Sequence, residues 1–263
     1  MQLLSAKHPI QDWLVKALIT RTSVVSHRSN LENVLQQFPQ TREIIETIEP
    51  FIRPPWWTLN AKIRVEETKG AAKSVHNEIQ EKPDATVATI YTDGSGIDKR
   101  VGAAAYAPIS GETRHYHLGG ETQFNVYTAE IAAIQLGLER LWNHEIHPNC
   151  RIYTDSQTAI KAIERPQRQS GQSIIKGLLD CIDEITEQYT QVQIEMVWIP
   201  GHSEIQGNER VDTEAKKAAA DSTVTQLPRC RPLKSARVRR IKAEAKEQWR
   251  EIWNEGTKTA KAL

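Results

Sequence analysis

Cysteine is scarce in this sequence: three residues in 263, at Cys150, Cys181 and Cys230, odd in number and far apart. There is no Cys-x-x-Cys pair and no histidine pair at zinc-finger spacing, so neither a disulfide scaffold nor a structural zinc module is expected. No apolar run reaches membrane-spanning length, and the first residues, Met1 to His8, lack the apolar stretch of a signal peptide. These absences predict a soluble, intracellular protein with reduced thiols and no membrane partner. Net charge is also lacking, since 34 Lys and Arg stand against 33 Asp and Glu. A balance of +1 gives no overall field to argue for any partner, and no internal repeat or low-complexity tract is present.

What is present suits a packed globular core: 39% hydrophobic and 25% charged residues. Charge is segregated along the chain. The stretch from Asp180 to Glu214 is acid-rich, whereas Arg229 to Lys261 is strongly basic.

Taken in order, residues 1–83 read as a helical lead-in, with short helices predicted over Ile10–Ile19 and Asn30–Phe38. Arg53-Pro54-Pro55-Trp56-Trp57 breaks any helix and carries tryptophans that need a surface to cover them. Glu66 to Asp84 is rich in Lys and Glu and reads as a linker, in part helical. From Ala85 the pattern turns to strands: Ala85–Thr92, then Val101–Pro108 and Glu112–Leu118 as an antiparallel meander. Helix Val126–Asn143, strand Arg151–Thr154, helices Ser156–Glu164 and Ser173–Tyr189, strand Gln193–Trp198 and helix Asn208–Ala220 follow. The expected fold is α/β, a mixed five-stranded sheet, three strands antiparallel and then two parallel, with helices on both faces. Residues 84–222 form the expected central domain and residues 223–263 a basic, helical tail.

Four carboxylates stand out by position. Asp93 follows the apolar run Ala85–Thr92 and opens Asp93-Gly94-Ser95-Gly96, a segment that should end the strand. Asp155 follows Ile152-Tyr153-Thr154 in the same way. If these strands are parallel neighbours, both acids leave the sheet at the same edge, where α/β folds place their sites. Glu130, in the first turn of its helix, shares a face with Ile134, Gly137 and Leu141 and so points at the sheet. Asp212 shares a face with Ala215 and Ala219, small residues that permit close approach. His202 lies just upstream, in the glycine-flanked loop Gly201–Gly207. Gathered carboxylates repel one another and raise each other's pKa values, so such a set normally persists with cations. All-oxygen donors select hard ions, Mg2+ or Mn2+ rather than Zn2+, and two such ions suit in-line displacement at phosphorus.

The segments Tyr91-Thr92-Asp93-Gly94-Ser95, Thr128-Ala129-Glu130, Tyr153-Thr154-Asp155-Ser156-Gln157, Trp198-Ile199-Pro200-Gly201-His202 and Gly207-Asn208-Glu209-Arg210-Val211-Asp212 together resemble type 1 ribonuclease H. The resemblance runs from about Ala85 to Ala220, and is nearest to the ribonuclease H domain of reverse transcriptases from fungal non-LTR retrotransposons. It implies Asp93, Glu130, Asp155 and Asp212 as ligands of two Mg2+ ions, with Mn2+ as a substitute, and His202 as a catalytic histidine that helps protonate or release product. The implied substrate is the RNA strand of an RNA–DNA hybrid, cut to leave a 5′-phosphate and a 3′-hydroxyl, with Gly94, Ser95, Gln157 and Asn208 as substrate-binding positions. Two departures stand out. Val126 and Tyr127 fill places where bacterial relatives carry nucleic-acid-binding asparagines, with Asn125 one step earlier. The short segment Arg165–Gln172 also leaves no room for the basic protrusion that some members use to grip the hybrid.

The lead-in resembles the connection between polymerase and nuclease in those retrotransposon proteins, yet no paired-aspartate polymerase motif occurs. The reading is a retrotransposon-derived nuclease separated from a reverse transcriptase domain of a parent polyprotein. A non-catalytic nucleic-acid-binding module of the same fold, and a nuclease acting on DNA, are the competing readings. The basic tail reads either as a phosphate-binding element or as a solvated helical face partnered by Glu244, Glu247 and Glu251.

Overall fold

The structure, a computed structural model, describes residues 45–50, 53–143, 149–223 and 230–261. The chain divides into two units, Met1–Thr47 and Ile48–Leu263, and the second is the subject here. The two helices expected within 10–38 lie outside the described residues.

Six strands form one sheet in the order β1-β6-β5-β2-β3-β4. They are β1 (Lys62–Arg64), β2 (Val87–Ile97), β3 (Arg100–Ala107), β4 (Glu112–Gly120), β5 (Asn149–Thr154) and β6 (Gln193–Trp198). The described helices are α1 (Lys69–Glu81), α2 (Val126–Asn143), α3 (Gln157–Glu164), α4 (Gln172–Gln188), α5 (Gln206–Ala220) and α6 (Lys234–Lys261). β2, β3 and β4 run antiparallel, while β5 and β6 lie parallel to β2. The expected mixed α/β sheet is therefore present, with one strand more than the five expected. β1 pairs parallel to β6, Lys62 to Glu195 through Arg64 to Val197. Three residues are too few for an alternating pattern, so this strand exists through its partner rather than through its own sequence.

Side chains alternate along the strands and feed two cores. Ile90, Ala103, Ala105 and Ile152 pack with α2 and α4 on one face, while Tyr91, Ala104, Tyr153 and Val197 pack with α5 on the other. Helix α2 is buried almost all round, at Ile131, Ala132, Ala133, Ile134 and Leu138, because the sheet lies on one side of it and α4 on the other. Asn125 fixes its start: the Asn125 side chain accepts the Thr128 amide at 3.0 Å, while the Thr128 hydroxyl donates to the Asn125 carbonyl at 2.7 Å. In α4 the buried residues Ile174, Ile175, Leu178, Leu179, Ile182 and Ile185 follow helical spacing. Each such side chain, fully buried, contributes about 1.5–3 kcal/mol.

Two expectations are corrected. Asp93 does not end its strand, since β2 continues to Ile97 with Asp93 opposite Ala104 and Gly94 opposite Ala103. The parallel partner on the other side stops sooner, with Thr92 opposite Thr154. Asp93 is thus held by hydrogen-bonded backbone on one side and opens to the sheet edge on the other. The polar stretch from Glu66 to Asp84 is helical in part, as expected, over Lys69–Glu81, but this helix is docked rather than a free linker. Thr68 caps α1 by accepting the Ala71 amide, Ala72 and His76 are buried, and His76 Nε2 lies 2.8 Å from the Tyr91 hydroxyl. Tyr91 in turn stacks on Tyr153, with centroids 5.0 Å apart.

The segment before β1 is anchored on α4. Arg53 pairs with Asp180 at 2.8 Å and lies over the Trp57 ring, whose Nε1 donates to Asp183 at 3.3 Å. Trp57 thus finds its cover, while Trp56 stays 82% exposed. None of the three cysteines is in a disulfide. No helix among the described residues is long and apolar enough to cross a membrane.

A Cβ on Gly102 would meet the Ala219 backbone nitrogen of α5 at 2.2 Å, and backbone cannot swing aside. Gly102→Ala should therefore cost about 1–3 kcal/mol or more in a urea melt. Gly177 offers the opposite case, because a Cβ in mid-α4 meets only the Gln135 Oε1 at an ordinary 3.8 Å. Gly177→Ala should raise stability, by up to about 1 kcal/mol.

Candidate active site

The parallel pairing of β2 with β5 places Thr92 beside Thr154, so the next residues, Asp93 still in β2 and Asp155 just past β5, stand side by side. Glu130 reaches the same point from α2. It can do so because Gly94 has no side chain: a Cβ there would lie 2.4 Å from the Glu130 amide nitrogen. The helix start rests directly on the strand, and the Gly94 N–H donates to Glu130 Oε2 at 3.2 Å. One carboxylate oxygen each from Asp93, Glu130 and Asp155 lies within 4.8 Å of the others. Asp93 and Glu130 are only 7% and 8% exposed.

Burial and crowding set the electrostatics. The Asp93 carboxyl is pushed up to about 8, first by burial and then by the charges of Asp155 and Asp212. Glu130 is pushed well up by burial and by the same neighbours, Asp93 and Asp155. Burial also raises Asp155, while the Asn208 side chain, which hydrogen-bonds it, and the nearby His202 pull it back down. Asp212 stands just outside the tight trio. Its Oδ2 accepts from Lys216 Nζ at 2.6 Å, one turn along α5, yet its charge is felt at both Asp93 and Asp155.

The remaining expected site residues fall around this cluster in different ways. His202 is exposed with a left-handed backbone, φ 52°, in the loop between β6 and α5. Its neighbour Gly201 touches the site directly, since a Cβ there would come within 2.5 Å of Asp155 Oδ2. Asn208, expected to contact substrate, is only 4% exposed and its side chain hydrogen-bonds Asp155. Its Oδ1 is buried without a hydrogen-bond partner. Ser95 is buried on β2 opposite Gly102, and Gln157 is half-buried as the first residue of α3, next to the cap Ser156. Asn125, whose side chain caps α2, is committed to structure. Two parts of the site were not foreseen from the sequence, Lys216 and the close approach of Gly201, itself part of the quoted Trp198–His202 segment, to Asp155. Lys216 lies four residues after Asp212, a spacing that on most helices marks an ordinary surface pair.

The donor set fits hard divalent cations. It consists of anionic oxygens alone, it is buried enough to hold protons to unusual pH when no cation neutralises it, and Asn208 Oδ1 adds a spare oxygen at its border.

Because the folded chain keeps the Asp93 proton to about pH 8 while an unfolded one releases it near pH 3.8, the folded state binds more protons across that interval. Metal-free protein should therefore lose stability as pH rises from about 4 to 8. Asp93→Asn should flatten that slope and raise stability at pH 8 by more than about 1.4 kcal/mol, the equivalent of one pKa unit. Urea midpoints at pH 5.5 and 8 in chelator-treated protein measure both effects.

The family model for RNase H matches residues 85–220 of this chain. That span runs from the approach to β2 to the end of α5 and contains the acids, His202 and Asn208. Curated relatives include the Pol polyprotein of equine infectious anemia virus, strain Wyoming, 34% identical over 128 residues. The Pol polyprotein of isolate 1369 of the same virus is 35% identical over 129 residues. Each match takes in 49% of this chain and 10% of the polyprotein, so the chain spans about a tenth of the length of these relatives. With the family match covering more than half of the chain and the acids assembled at one edge of the sheet, this protein belongs to the RNase H family.

Proposed function

We propose that this chain is a Mg2+-dependent endonuclease that hydrolyses the RNA strand of RNA–DNA hybrids, derived from a retrotransposon polyprotein in which a reverse transcriptase accompanied it. The observation that carries the reading is the trio of buried Asp93 and Glu130 with half-buried Asp155, Asp212 beside it, set inside a matched RNase H family span. The polyprotein relatives and the polymerase-connection resemblance of the lead-in support the origin.

Asp93, Glu130, Asp155 and Asp212 would hold the ions, and Mn2+ has the same preference for oxygen. Two such ions, when bound, lower the pKa of an attacking water and neutralise charge on the leaving oxygen. The protein's own groups have separable tasks. The Gly94 amide fixes one carboxylate oxygen of Glu130 and so holds its side chain beside Asp93 and Asp155. Asn208 orients Asp155 through its side-chain hydrogen bond. His202, exposed and within electrostatic reach of Asp155, would deliver a proton to the 3′ oxygen as it leaves. The exposed backbone of β2 at Gly96, two residues past the buried Gly94, together with Gln157 at the head of α3, would face an A-form groove whose 2′-hydroxyls can be read by shape.

Cleavage of a labelled RNA–DNA hybrid with Mg2+, against duplex DNA and duplex RNA controls, tests the reading. Cutting should be confined to the hybrid and leave a 5′-phosphate, and Asp93→Asn should reduce it by at least about 10³-fold. His202→Ala should lower kcat by about 10²-fold with little change in KM, as loss of a general acid would. Equal cutting of duplex DNA would overturn the substrate assignment. Hybrid binding without cleavage by the unaltered chain would make this fold a binding module.

A further inference from the structure

Helix α6 is anchored at its N-terminal end. Leu233, Ala236 and Arg237 are buried, the Leu233 amide donates to the Gln123 carbonyl at 2.8 Å, and the Ser235 amide donates to Ser170 Oγ at 3.0 Å. Arg239 donates to the Glu121 carbonyl. Glu121 follows β4 and donates its own amide to the Lys99 carbonyl in the β2–β3 turn. Asn125, four residues on, caps α2. The foot of α6 therefore stands at the sheet edge that carries the acids, beside the segment leading to Glu130.

Beyond the foot, one stripe of the helix is basic and aromatic. At 100° per residue, Arg239, Lys242, Lys246, Trp249, Arg250 and Trp253 fall within about 100° of its circumference. All six are exposed. The docked residues lie on the far side, and that side continues as Glu244, Glu247 and Glu251. Trp249 and Trp253, 65% and 62% exposed, stack one turn apart with centroids 6.3 Å from each other. With Lys246 and Arg250 they line an open cleft. The Arg250–Glu247 pair, at 2.7 Å, is a surface contact that contributes little and exchanges readily for a phosphate.

We propose that α6 is an arm that binds single-stranded nucleic acid, holding the DNA strand where it runs unpaired from the hybrid. The inference rests on the hybrid-nuclease reading above. Spaced cations match backbone phosphates and make binding salt-sensitive, while exposed tryptophan faces stack unpaired bases, which a duplex does not offer. Hydrolysis of the RNA strand leaves such DNA behind. The arm also supplies positive charge to a chain whose α3–α4 connection, Arg165 to Gly171, is too short for a basic protrusion of its own.

The test uses the full-length chain with a labelled single-stranded DNA oligonucleotide, a blunt hybrid and a hybrid with a single-stranded DNA overhang. Lys242→Glu/Lys246→Glu and Trp249→Ala/Trp253→Ala alter only exposed positions, and circular dichroism verifies the helix. Both variants should weaken single-strand and overhang binding tenfold or more, with kcat on the blunt hybrid unchanged. The charge variant should also shrink the log Kd against log salt slope by about 0.7 per lost contact. Unchanged single-strand affinity in both variants overturns the arm, as does a tryptophan-dependent dimer in sedimentation that leaves DNA affinity intact. Cleavage of the blunt hybrid by the unaltered chain judges the nuclease reading separately, so either can fail without the other.

Discussion

The contact between β2 and the first turn of α2 sets the geometry of the whole edge. At Gly94 strand and helix backbones meet with no space for a Cβ, and only at that distance can Glu130 from one face of the sheet reach Asp93, which faces the other. The same economy recurs on the opposite face, where Gly102 lets the end of α5 lie on β3, and in the loop before α5, where Gly201 lies against Asp155. A sheet coated by helices on both sides thus brings acids from β2, α2 and β5 to one point, with α5 supplying Asp212 and Lys216 beside it. An ordinary residue at position 94 would separate the layers before it reached any catalytic group.

Against this closeness stands the repulsion among the acids. Burial raises Asp93, Glu130 and Asp155 together, so without cations the site holds protons it would otherwise shed. The surroundings offset the strain in part: the Gly94 amide, the Asn208 side chain and the Lys216 ammonium each aim positive charge at one acid. The two apolar cores, fully buried at Ile131, Ile134, Ile152 and Tyr153, hold the arrangement in place. The fold tolerates an unfavourable charge cluster because it is anchored elsewhere.

Much of this was legible in the sequence. A long apolar run gave β2 and a short one β5, helical spacing gave α2 and α4, and the acids were found because each stands where a run ends or on a face that must be buried. The misjudged parts were those governed by partners rather than by local pattern. Asp93 and Gly94 look like a strand terminus, yet the ladder with β3 carries them onward. β1 is three residues long and owes its conformation to β6. α1 is too polar to announce burial, its docking resting on Ala72 and on His76 beside the Tyr91 hydroxyl. At the site, the resemblance marked Asn208 as a substrate-binding position, and nothing in its sequence neighbours shows that its side chain is buried and hydrogen-bonded to Asp155.

The pairing of β1 with β6 has a consequence for handling the protein. The family match begins at residue 85, so a fragment cut to that boundary would lose both β1 and α1. It would expose the backbone donors and acceptors of β6 along an open edge, a template for pairing with another chain. It would also uncover Tyr91 beside a vacant helix seat. The aggregation propensity of such a fragment would thus be a property of the cut rather than of the nuclease, and the solubility of this fold is secured by residues upstream of its chemistry.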